Sequence, residues 1–326
     1  MTPTDTLAPA TTALQLPPAT ELKSEILRLK KEKDAVLLAH YYQDSEIQDL
    51  ADHLGDSLQL AQAAKKATQK VICFCGVHFM AETAKILNPD KTVIVPDMNA
   101  GCSLADACPP EQLAAWKAKH PEYKVVAYIN CSAGVKALCD IICTSSNAER
   151  VVRSFPADTP ILFVPDRNLG GYLMKKLNRP MKLWQGTCIV HETFSERKIV
   201  DLKVAHPEAE FIAHPECEPT VLRHADFIGS TSALLGYVSK SPKPSFIVGT
   251  ETGILHQMKK AAPSKTFIAG PFEGEEKCAC NQCPHMKLNT LEKLWLCLKT
   301  LKPTLEMSPD LIAKAKIPLE RMLALG

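Results

Sequence analysis

The 326-residue sequence predicts an α/β fold made of three copies of one strand–helix unit. Three observations support this prediction. Short apolar segments alternate along the chain with amphipathic stretches of helical period. Most of the apolar segments lack the apolar–polar alternation of half-exposed strands, which is typical of buried parallel strands. The third observation is an internal repeat, in which the same kinds of side chain return at a nearly constant spacing.

The predicted elements follow one another in the same order three times. A helix is predicted from about Glu21, after a segment rich in Thr, Pro and Ala at residues 1–20 that is typical of a disordered tail. The predicted strands are 36–39, 71–74 and 92–95, then 125–129 and 161–164, then 211–213, 246–249 and 267–270. Helical segments with the sequences FMAETAKIL, GGYLMKKL and GILHQMKKA follow the second strand of each copy. We therefore expect units at 21–110, 111–195 and 196–290, with C-terminal helices at 291–326.

Pairs of polar side chains mark the end of the first strand in each unit. The pairs, spaced i and i+2, are His40 with Tyr42, Tyr128 with Asn130, and His214 with Glu216. The first and second pairs are 88 residues apart, and the second and third are 86 residues apart. Because functional side chains collect at the carboxyl ends of parallel strands, these pairs are candidate site residues.

A second marker recurs with the same offsets. An aspartate is followed five positions later by a hydroxyl residue in Asp52 and Ser57, Asp140 and Ser145, and Asp226 and Thr231. The three hydroxyls lie where helices are predicted to begin. A hydroxyl at a helix N-terminus can cap the helix, and the free backbone N–H groups there bind anions. We expect these three residues to be both caps and anion ligands.

The third strand of each unit is followed by a segment that contains cysteine. These segments hold Cys102, Cys188 and the CACNQC run that ends at Cys283. If the three units pack around a pseudo-threefold axis, one cysteine from each unit meets the others at a single point. Three thiolates leave a metal centre with an open position, either zinc with a water or a [4Fe–4S] cluster with one free iron. Ligands so far apart in sequence favour catalysis over a structural zinc site.

Composition narrows the class of protein. Lys and Arg number 38 against 36 Asp and Glu, a formal net charge of +2 that gives no support for binding nucleic acid or a membrane surface. No apolar segment approaches the ~18–20 residues of a membrane span, and residues 1–20 lack the features of a signal or transit peptide. Thirteen cysteines without such a peptide indicate a reducing compartment, so a cytoplasmic location is expected. The absence of a G-x-G-x-x-G or Walker segment leaves nucleotide binding without support.

Nine motifs, in order along the chain, resemble the quinolinate synthase (NadA) family. They are AHYY at 39–42, GDS at 55–57, FMAETAKIL at 79–87, CSL at 102–104, TSSNA at 144–148, WQGTCIVHE at 184–192, HPE at 214–216, GSTS at 229–232 and CPHMK at 283–287. The resemblance implies three Rossmann-like αβα domains around a central [4Fe–4S] cluster. It also implies that the chain condenses iminoaspartate (iminosuccinate) with dihydroxyacetone phosphate, releasing phosphate and water, to give quinolinate for NAD biosynthesis.

The resemblance further implies roles for individual residues. It makes Cys102, Cys188 and Cys283 the ligands of the cluster, whose open iron acts as a Lewis acid. The residues similar to the substrate contacts of the family are His40, Ser57, Tyr128, Asn130, Ser145, His214, Glu216 and Thr231. Glu216, together with His40 or Tyr42, is expected to carry the acid–base steps. A functional link to an L-aspartate oxidase or an aspartate dehydrogenase is expected as well.

Some residues keep more than one interpretation. Family members with a C-x-x-C-x-x-C segment can form a disulfide there, whereas this chain has C-x-C-x-x-C, so the redox role of Cys278 and Cys280 stays open. A zinc knuckle in this segment is an alternative. His191 is either structural or directed at the metal or the substrate.

A purely structural role is the alternative interpretation for the other thiols and for two of the histidines. Core thiols, the usual fate of cysteine, are expected at Cys73, Cys75, Cys108, Cys131, Cys139, Cys143, Cys217 and Cys297. His40 and His214 could likewise be core imidazoles. The alternative to an enzyme is a metal-binding or redox-sensing protein without catalysis, which would not need polar pairs at the strand ends.

Overall fold

The computed structural model describes residues 15–271 and 281–325. The predictions for residues 1–14 and for Cys278 and Cys280 therefore lie outside the described residues. The described chain forms three separate four-stranded sheets in which every pairing is parallel. The α/β fold with three related units is confirmed, while the residue bounds proposed for the units remain a prediction.

The three sheets share one strand order. The first consists of β1 (Ala35–His40), β2 (His53–Gly55), β3 (Val71–Cys75) and β4 (Thr92–Ile94), in the order β2-β1-β3-β4. The second has β5 (Lys124–Tyr128), β6 (Ile141–Cys143), β7 (Ile161–Val164) and β8 (Lys182–Leu183), in the order β6-β5-β7-β8. The third has β9 (Glu210–Ala213), β10 (Phe227–Ile228), β11 (Ser245–Gly249) and β12 (Thr266–Ala269), in the order β10-β9-β11-β12.

Helices surround the sheets. Those near the first sheet are α1 (Ala19–Glu32), α2 (Ser45–Leu50), α3 (Ser57–Lys66), α4 (His78–Leu87) and α5 (Ser103–Asp106). The next are α6 (Pro110–Lys119), α7 (Ala133–Lys136), α8 (Ala148–Arg153) and α9 (Arg167–Leu177). The last unit has α10 (Glu196–Ala205), α11 (Pro219–Leu222), α12 (Thr231–Lys240) and α13 (Ile254–Ala261). Short 3-10 helices lie at His191–Thr193 and Met286–Leu288.

The C-terminal helices reach back over the first two units. Helix α14 (Leu291–Thr300) packs against α1, and α15 (Pro309–Leu325) packs against α4, α7, α8 and β6. Most of the apolar segments expected to be strands are buried. Strands β1, β3, β7 and β11 have no exposed residue, whereas β12 is only partly buried. Among the described helices, none combines the length and the apolar character needed to span a bilayer.

Each sheet also has one short edge strand that the sequence did not predict. These strands are β2, β6 and β10, which have three, three and two residues. A strand of this length is too short to give a periodic signal in the sequence. Each of these strands lies between the aspartate and the hydroxyl residue of its unit. The constant five-residue spacing of this second marker therefore corresponds to one short edge strand.

The repeated aspartates have a structural role that is the same in all three units. The carboxylate of each accepts a hydrogen bond from a backbone N–H of the neighbouring central strand. The pairs are Leu37 with Asp52, Val125 with Asp140 and Phe211 with Asp226, at N–O distances of 2.7, 2.8 and 2.8 Å. The backbone N–H of each aspartate donates in return to the carbonyl of the same strand residue. The aspartate thus fixes the edge strand to the central strand.

Replacing one of these aspartates should destabilise the fold. In Asp140→Ala the buried N–H of Val125 loses its acceptor, which costs about 1–3 kcal/mol of unfolding free energy. Urea unfolding followed by circular dichroism measures the difference. The exposed Asp310, replaced in the same way, serves as control and should change the free energy little. Equal losses in the two variants would contradict this role.

Candidate active site

The polar pairs, the repeated hydroxyls and the three cysteines line one cavity with an empty volume of about 730 Å³. Every residue predicted to contact substrate or metal is among its lining residues: His40, Tyr42, Ser57, Cys102, Tyr128, Asn130, Ser145, Cys188, His214, Glu216, Thr231 and Cys283. His40 and Tyr128 are the last residues of β1 and β5, and His214 directly follows β9. The cavity therefore lies where the carboxyl ends of the three central strands meet.

The two strand-end histidines have the same local geometry. The backbone N–H of Tyr42 donates to Nδ1 of His40 (3.2 Å), and the N–H of Glu216 donates to Nδ1 of His214 (3.4 Å). Because Nδ1 accepts in both rings, Nε2 carries the hydrogen of the neutral imidazole. Burial lowers the pKa of each histidine from 6.5 to about 4. Both rings are thus neutral Nε2–H donors, and Nε2 of His214 lies 3.2 Å from the hydroxyl of Ser145.

Glu216 is a buried carboxylate with partners on both oxygens. The hydroxyl of Tyr128 donates to Oε1, and Nδ1 of His191 lies 3.0 Å from Oε2. Burial opposes ionisation, but His191, His214 and the hydrogen bond from Tyr128 lower the pKa of Glu216 to about 2. The side chain of Asn168 also donates to the backbone carbonyl of Glu216 (3.0 Å). The carboxylate is therefore ionised and fixed in orientation.

A chain of hydrogen bonds connects Glu216 with Tyr42. Nδ1 of His191 faces the ionised carboxylate and so carries the proton, which leaves Nε2 to accept from the hydroxyl of Thr250 (3.0 Å). The oxygen of Thr250 then accepts from the hydroxyl of Tyr42 (2.8 Å), which also contacts Thr231 (2.9 Å). Burial raises the pKa of Tyr42 well above 10, so the phenol is protonated.

Two members of this chain were not assigned from the sequence. The sequence leaves the role of His191 open, whereas in the structure its ring contacts both Glu216 and Sγ of Cys188 (3.2 Å). The sequence analysis does not identify Thr250. The sequence feature that could have identified Thr250 is its position directly after the buried strand 246–249. The carboxyl end of this strand, β11, reaches the same cavity as that of the neighbouring β9.

The expectation that the repeated hydroxyls cap their helices is wrong. Ser57 and Thr231 are the first residues of α3 and α12, and the preceding residues, Asp56 and Ser230, are the caps. The side chain of Asp56 accepts from two N–H groups of α3, and that of Ser230 accepts from one of α12. Helices α3 and α12 thus begin one residue earlier than expected, whereas α8 begins at Ala148 after Asn147, so Ser145 is not a cap either. The hydroxyls of Ser57, Ser145 and Thr231 line the cavity instead.

Asp56 also joins the three units. Its second oxygen, Oδ2, accepts from the hydroxyl of Ser146 (2.8 Å) and from that of Ser232. The hydroxyl of Ser230 lies 2.9 Å from that of Ser146 and can donate to its oxygen. Ser146 belongs to the second unit and the other two serines to the third, so a single buried carboxylate of the first unit binds both neighbours. We call the contacts among these four residues the axis cluster.

The three cysteines share one setting. Each thiol is free and partly buried, and each precedes a short helical turn. Burial raises the pKa of Cys102 to about 12, that of Cys283 to about 11 and that of Cys188 well above 9, while the backbone N–H groups of the next turn lower each one. The charge of Cys283 also raises the pKa of Cys102, and that of Cys102 raises the pKa of Cys188. Three such thiols, each with backbone N–H groups directed at its sulfur, fit a metal centre in which the bound metal replaces the thiol proton.

A second set of possible donors lies beside the first. The ligand atoms of Cys188, His191 and Glu216 are all within 4.8 Å of one another, and this combination suits a single zinc ion. His191 and Glu216 already satisfy each other and are further engaged by Thr250 and Tyr128. A cluster of several irons spaces its ligands more widely than a single ion does, which suits three cysteines from three units.

The remaining described cysteines lie away from the cavity. Seven are buried and free: Cys73, Cys75, Cys108, Cys131, Cys143, Cys217 and Cys297. Cys139 is free and partly buried, with its thiol directed at the carbonyl of Val135. None of these residues lines the cavity, as expected of core thiols.

Comparisons with known proteins agree with the geometry. The chain matches the family model NadA, described as quinolinate synthetase A protein, over residues 24–324. Proteins named quinolinate synthase from Nostoc punctiforme, Microcystis aeruginosa and Chloroherpeton thalassium are 62%, 60% and 61% identical to it over 306 residues. These alignments cover 94% of this chain and 94%, 95% and 95% of the three relatives.

The neutral histidines predict a pH dependence of stability. His40 and His214 have a pKa of about 4 when folded and 6.5 otherwise, so between these values the unfolded chain binds more protons and stability falls as the pH is lowered. From pH 7 to pH 5 the loss is on the order of 1–2 kcal/mol per histidine. Urea unfolding at both pH values should show a smaller loss for the His40→Asn/His214→Asn variant than for the unmodified chain.

The comparison between variants is needed because Glu251 acts in the opposite direction. Burial raises its pKa to about 7, so its carboxyl group favours the folded state at the lower pH. This contribution is common to both proteins and cancels in their difference. Replacing the exposed His120 with Asn is the control and should leave the pH dependence unchanged. If the double variant keeps the full pH dependence, the two histidines are not buried as neutral rings.

Proposed function

Since the chain belongs to the quinolinate synthetase A (NadA) family, its activity is quinolinate synthesis, and we propose how its cavity performs this reaction. The proposed substrates are iminoaspartate and dihydroxyacetone phosphate, and the products are quinolinate, phosphate and water. The observation that carries the proposal is the meeting of polar pairs, hydroxyls and cysteines from three units in one cavity. A sensor of metal or oxygen would need the cysteines but not the other groups.

Cys102, Cys188 and Cys283 are the proposed ligands of a [4Fe–4S] cluster. Support comes from three free thiols, one from a loop of each unit, that line the same cavity. When bound by three thiolates, such a cluster supplies an iron with an open position, which acts as a Lewis acid. The same pattern, without a fourth cysteine among the described lining residues, supports an open site.

The substrates bring two carboxylates and one phosphate, and the cavity offers neutral donors for them. Among the described lining residues there is no Lys or Arg. The hydroxyls of Ser57 and Thr231 line the cavity at the first residues of α3 and α12, where each can donate to a substrate oxygen. The Nε2–H groups of His40 and His214 are further donors. Among the residues that the structure describes, none bonds to the buried side-chain oxygen of Asn130, which suits a donor on the substrate.

The acid–base steps fall to the two ends of the hydrogen-bond chain. Glu216 is ionised and accepts a proton from substrate carbon or nitrogen during isomerisation and ring closure. Tyr42 is protonated and donates to the hydroxyl that leaves as water. His40, with its pKa of about 4, serves as a hydrogen-bond donor that orients substrate rather than as an acid. The geometry therefore favours Tyr42 over His40 as the partner of Glu216.

Two further proposals concern the setting of the enzyme. A functional link to an L-aspartate oxidase or an aspartate dehydrogenase is proposed because oxidation of aspartate yields the imino acid that this chain consumes. A cytoplasmic location is proposed because the eleven cysteines that the structure describes are all free thiols, as in a reducing compartment.

The ligand assignment predicts the outcome of single cysteine substitutions. Cys102→Ser, Cys188→Ser and Cys283→Ser, purified without oxygen, should each lose most of the iron and sulfide and the cluster signal in electron paramagnetic resonance. Cys139→Ser is the control, since its thiol is also partly buried but lies outside the cavity, and it should keep both. A full cluster in any of the three ligand variants would overturn the assignment. Colourless unmodified protein that forms no quinolinate would overturn the proposed function.

The role of Glu216 predicts a loss of turnover without loss of the cluster. Glu216→Gln keeps the shape of the side chain but cannot take up a proton, so kcat should fall about 10²–10⁴-fold. Iron content should stay at the level of the unmodified chain, because Glu216 is not a proposed ligand. Glu192→Gln, a partly exposed glutamate that pairs with Arg167, is the control and should keep its turnover. Full turnover in Glu216→Gln would remove it as the base.

A further inference from the structure

The loops that carry the three cysteines are held in two different ways. The hydroxyl of Ser103, next to Cys102, donates to the carbonyl of Thr187 (3.2 Å) and accepts from the N–H of Ile189 (3.1 Å). These two residues flank Cys188. The first and second cysteine loops are therefore fastened directly to each other.

The third cysteine loop is held by Glu251 instead. The carboxylate of Glu251 is fully buried, and Oε1 accepts from the backbone N–H of Cys283 (3.1 Å). The other oxygen, Oε2, accepts from the N–H of Gly253 (2.6 Å). In return, the N–H of Thr252 donates to the carbonyl of Asn281 (3.2 Å). The turn after β11 thus forms the seat on which the loop of Cys283 rests.

This seat is also joined to the loop that carries Tyr42. Lys287 lies four residues after Cys283, and its Nζ donates to the carbonyl of Tyr42 (3.0 Å). The same Nζ is 3.7 Å from Oε1 of Glu251 and 3.0 Å from the carboxylate of Asp44. A Cβ added at Gly253 would lie 2.8 Å from Cα of Tyr42, so the turn and the Tyr42 loop are in close contact.

We propose that Glu251 is a positioning residue that sets the third cysteine ligand, Cys283, against the loop of Tyr42. The inference rests on the proposed function, because it assigns Glu251 to the fixing of one proposed cluster ligand. A carboxylate suits this place because it only accepts, and two backbone N–H groups from different segments converge on it. Lys287 supplies the compensating charge and the connection to Tyr42.

The substitution Glu251→Gln tests the proposal. An amide has one accepting oxygen, so one of the two N–H groups then faces an N–H₂ group, and the loop is released from its seat. In cluster-free full-length chain, alkylation of Cys283 by iodoacetamide, followed by mass spectrometry, should be about tenfold faster than in the unmodified chain. Alkylation of Cys102 should be unchanged. After anaerobic reconstitution, iron per chain should fall at least about twofold.

A matched control separates this effect from general damage. Glu82 is another buried glutamate, and one of its oxygens accepts from the backbone N–H of Ala133 (2.8 Å), away from the cavity. Glu82→Gln should alter neither the alkylation of Cys283 nor the iron content. If Glu251→Gln behaves in the same way as Glu82→Gln, Glu251 is not a positioning residue and the inference is wrong.

Two outcomes distinguish this inference from the proposed function. The unmodified chain could bind no iron while Cys283 still becomes more reactive in Glu251→Gln. This result would reject the proposed cluster and support the positioning role of Glu251. If Glu251→Gln does not fold, Lys287→Met is measured, since it removes the contacts to Glu251 and Tyr42 but keeps both backbone hydrogen bonds. In Lys287→Met the readout is amide hydrogen exchange at Cys283, because the lost charge would itself slow alkylation. Exchange should be faster than in the unmodified chain, and an unchanged exchange rate would overturn the inference.

Discussion

The axis cluster around Asp56 is the contact on which the arrangement of the cavity depends. One oxygen of this buried carboxylate caps α3, and the other receives hydroxyls from the second and third units. Hydrogen bonds to a charged group contribute about 1.5–3 kcal/mol each, and burial of the charge is tolerated because every lone pair has a donor. The cavity residues come from all three units. The axis cluster, which joins these units, therefore helps to fix the distances between them.

The charges around the cavity explain why a cation belongs there. Asp56, Glu216 and Glu251 line it together with three thiols, and the described lining has no Lys or Arg. In such surroundings a thiol holds its proton unless a metal replaces it, which the raised pKa values of the cysteines express. Substrates with two carboxylates and a phosphate add more negative charge. Neutral donors can bind these groups, and a metal centre would add positive charge in this largely buried site.

Much of the fold and of the candidate site was predictable because short segments of the sequence determine it. Buried strands gave apolar segments, and the polar pairs such as His214 with Glu216 appeared three times in register. Asp56, Thr250 and Glu251 were not found, since their roles arise only when separate units meet. The caps of α3 and α12 were misplaced by one residue, since Asp56 and Ser57, for example, are both good capping types, and the cap of α8 was misplaced by two. The short edge strands β2, β6 and β10 gave no recognisable pattern, although the equally short β4 was predicted from the apolar segment 92–95.

The repeated aspartates and the polar pairs differ in one respect that bears on substrate binding. The scaffold position is Asp in all three units, whereas the cavity positions hold His and Tyr, Tyr and Asn, or His and Glu. A cavity with true threefold symmetry would accept an unsymmetrical molecule in three equivalent poses, of which one at most is reactive. Divergence at these positions removes that degeneracy. The three similar units thus contribute different side chains to the cavity, and this asymmetric lining can select one orientation of the substrates.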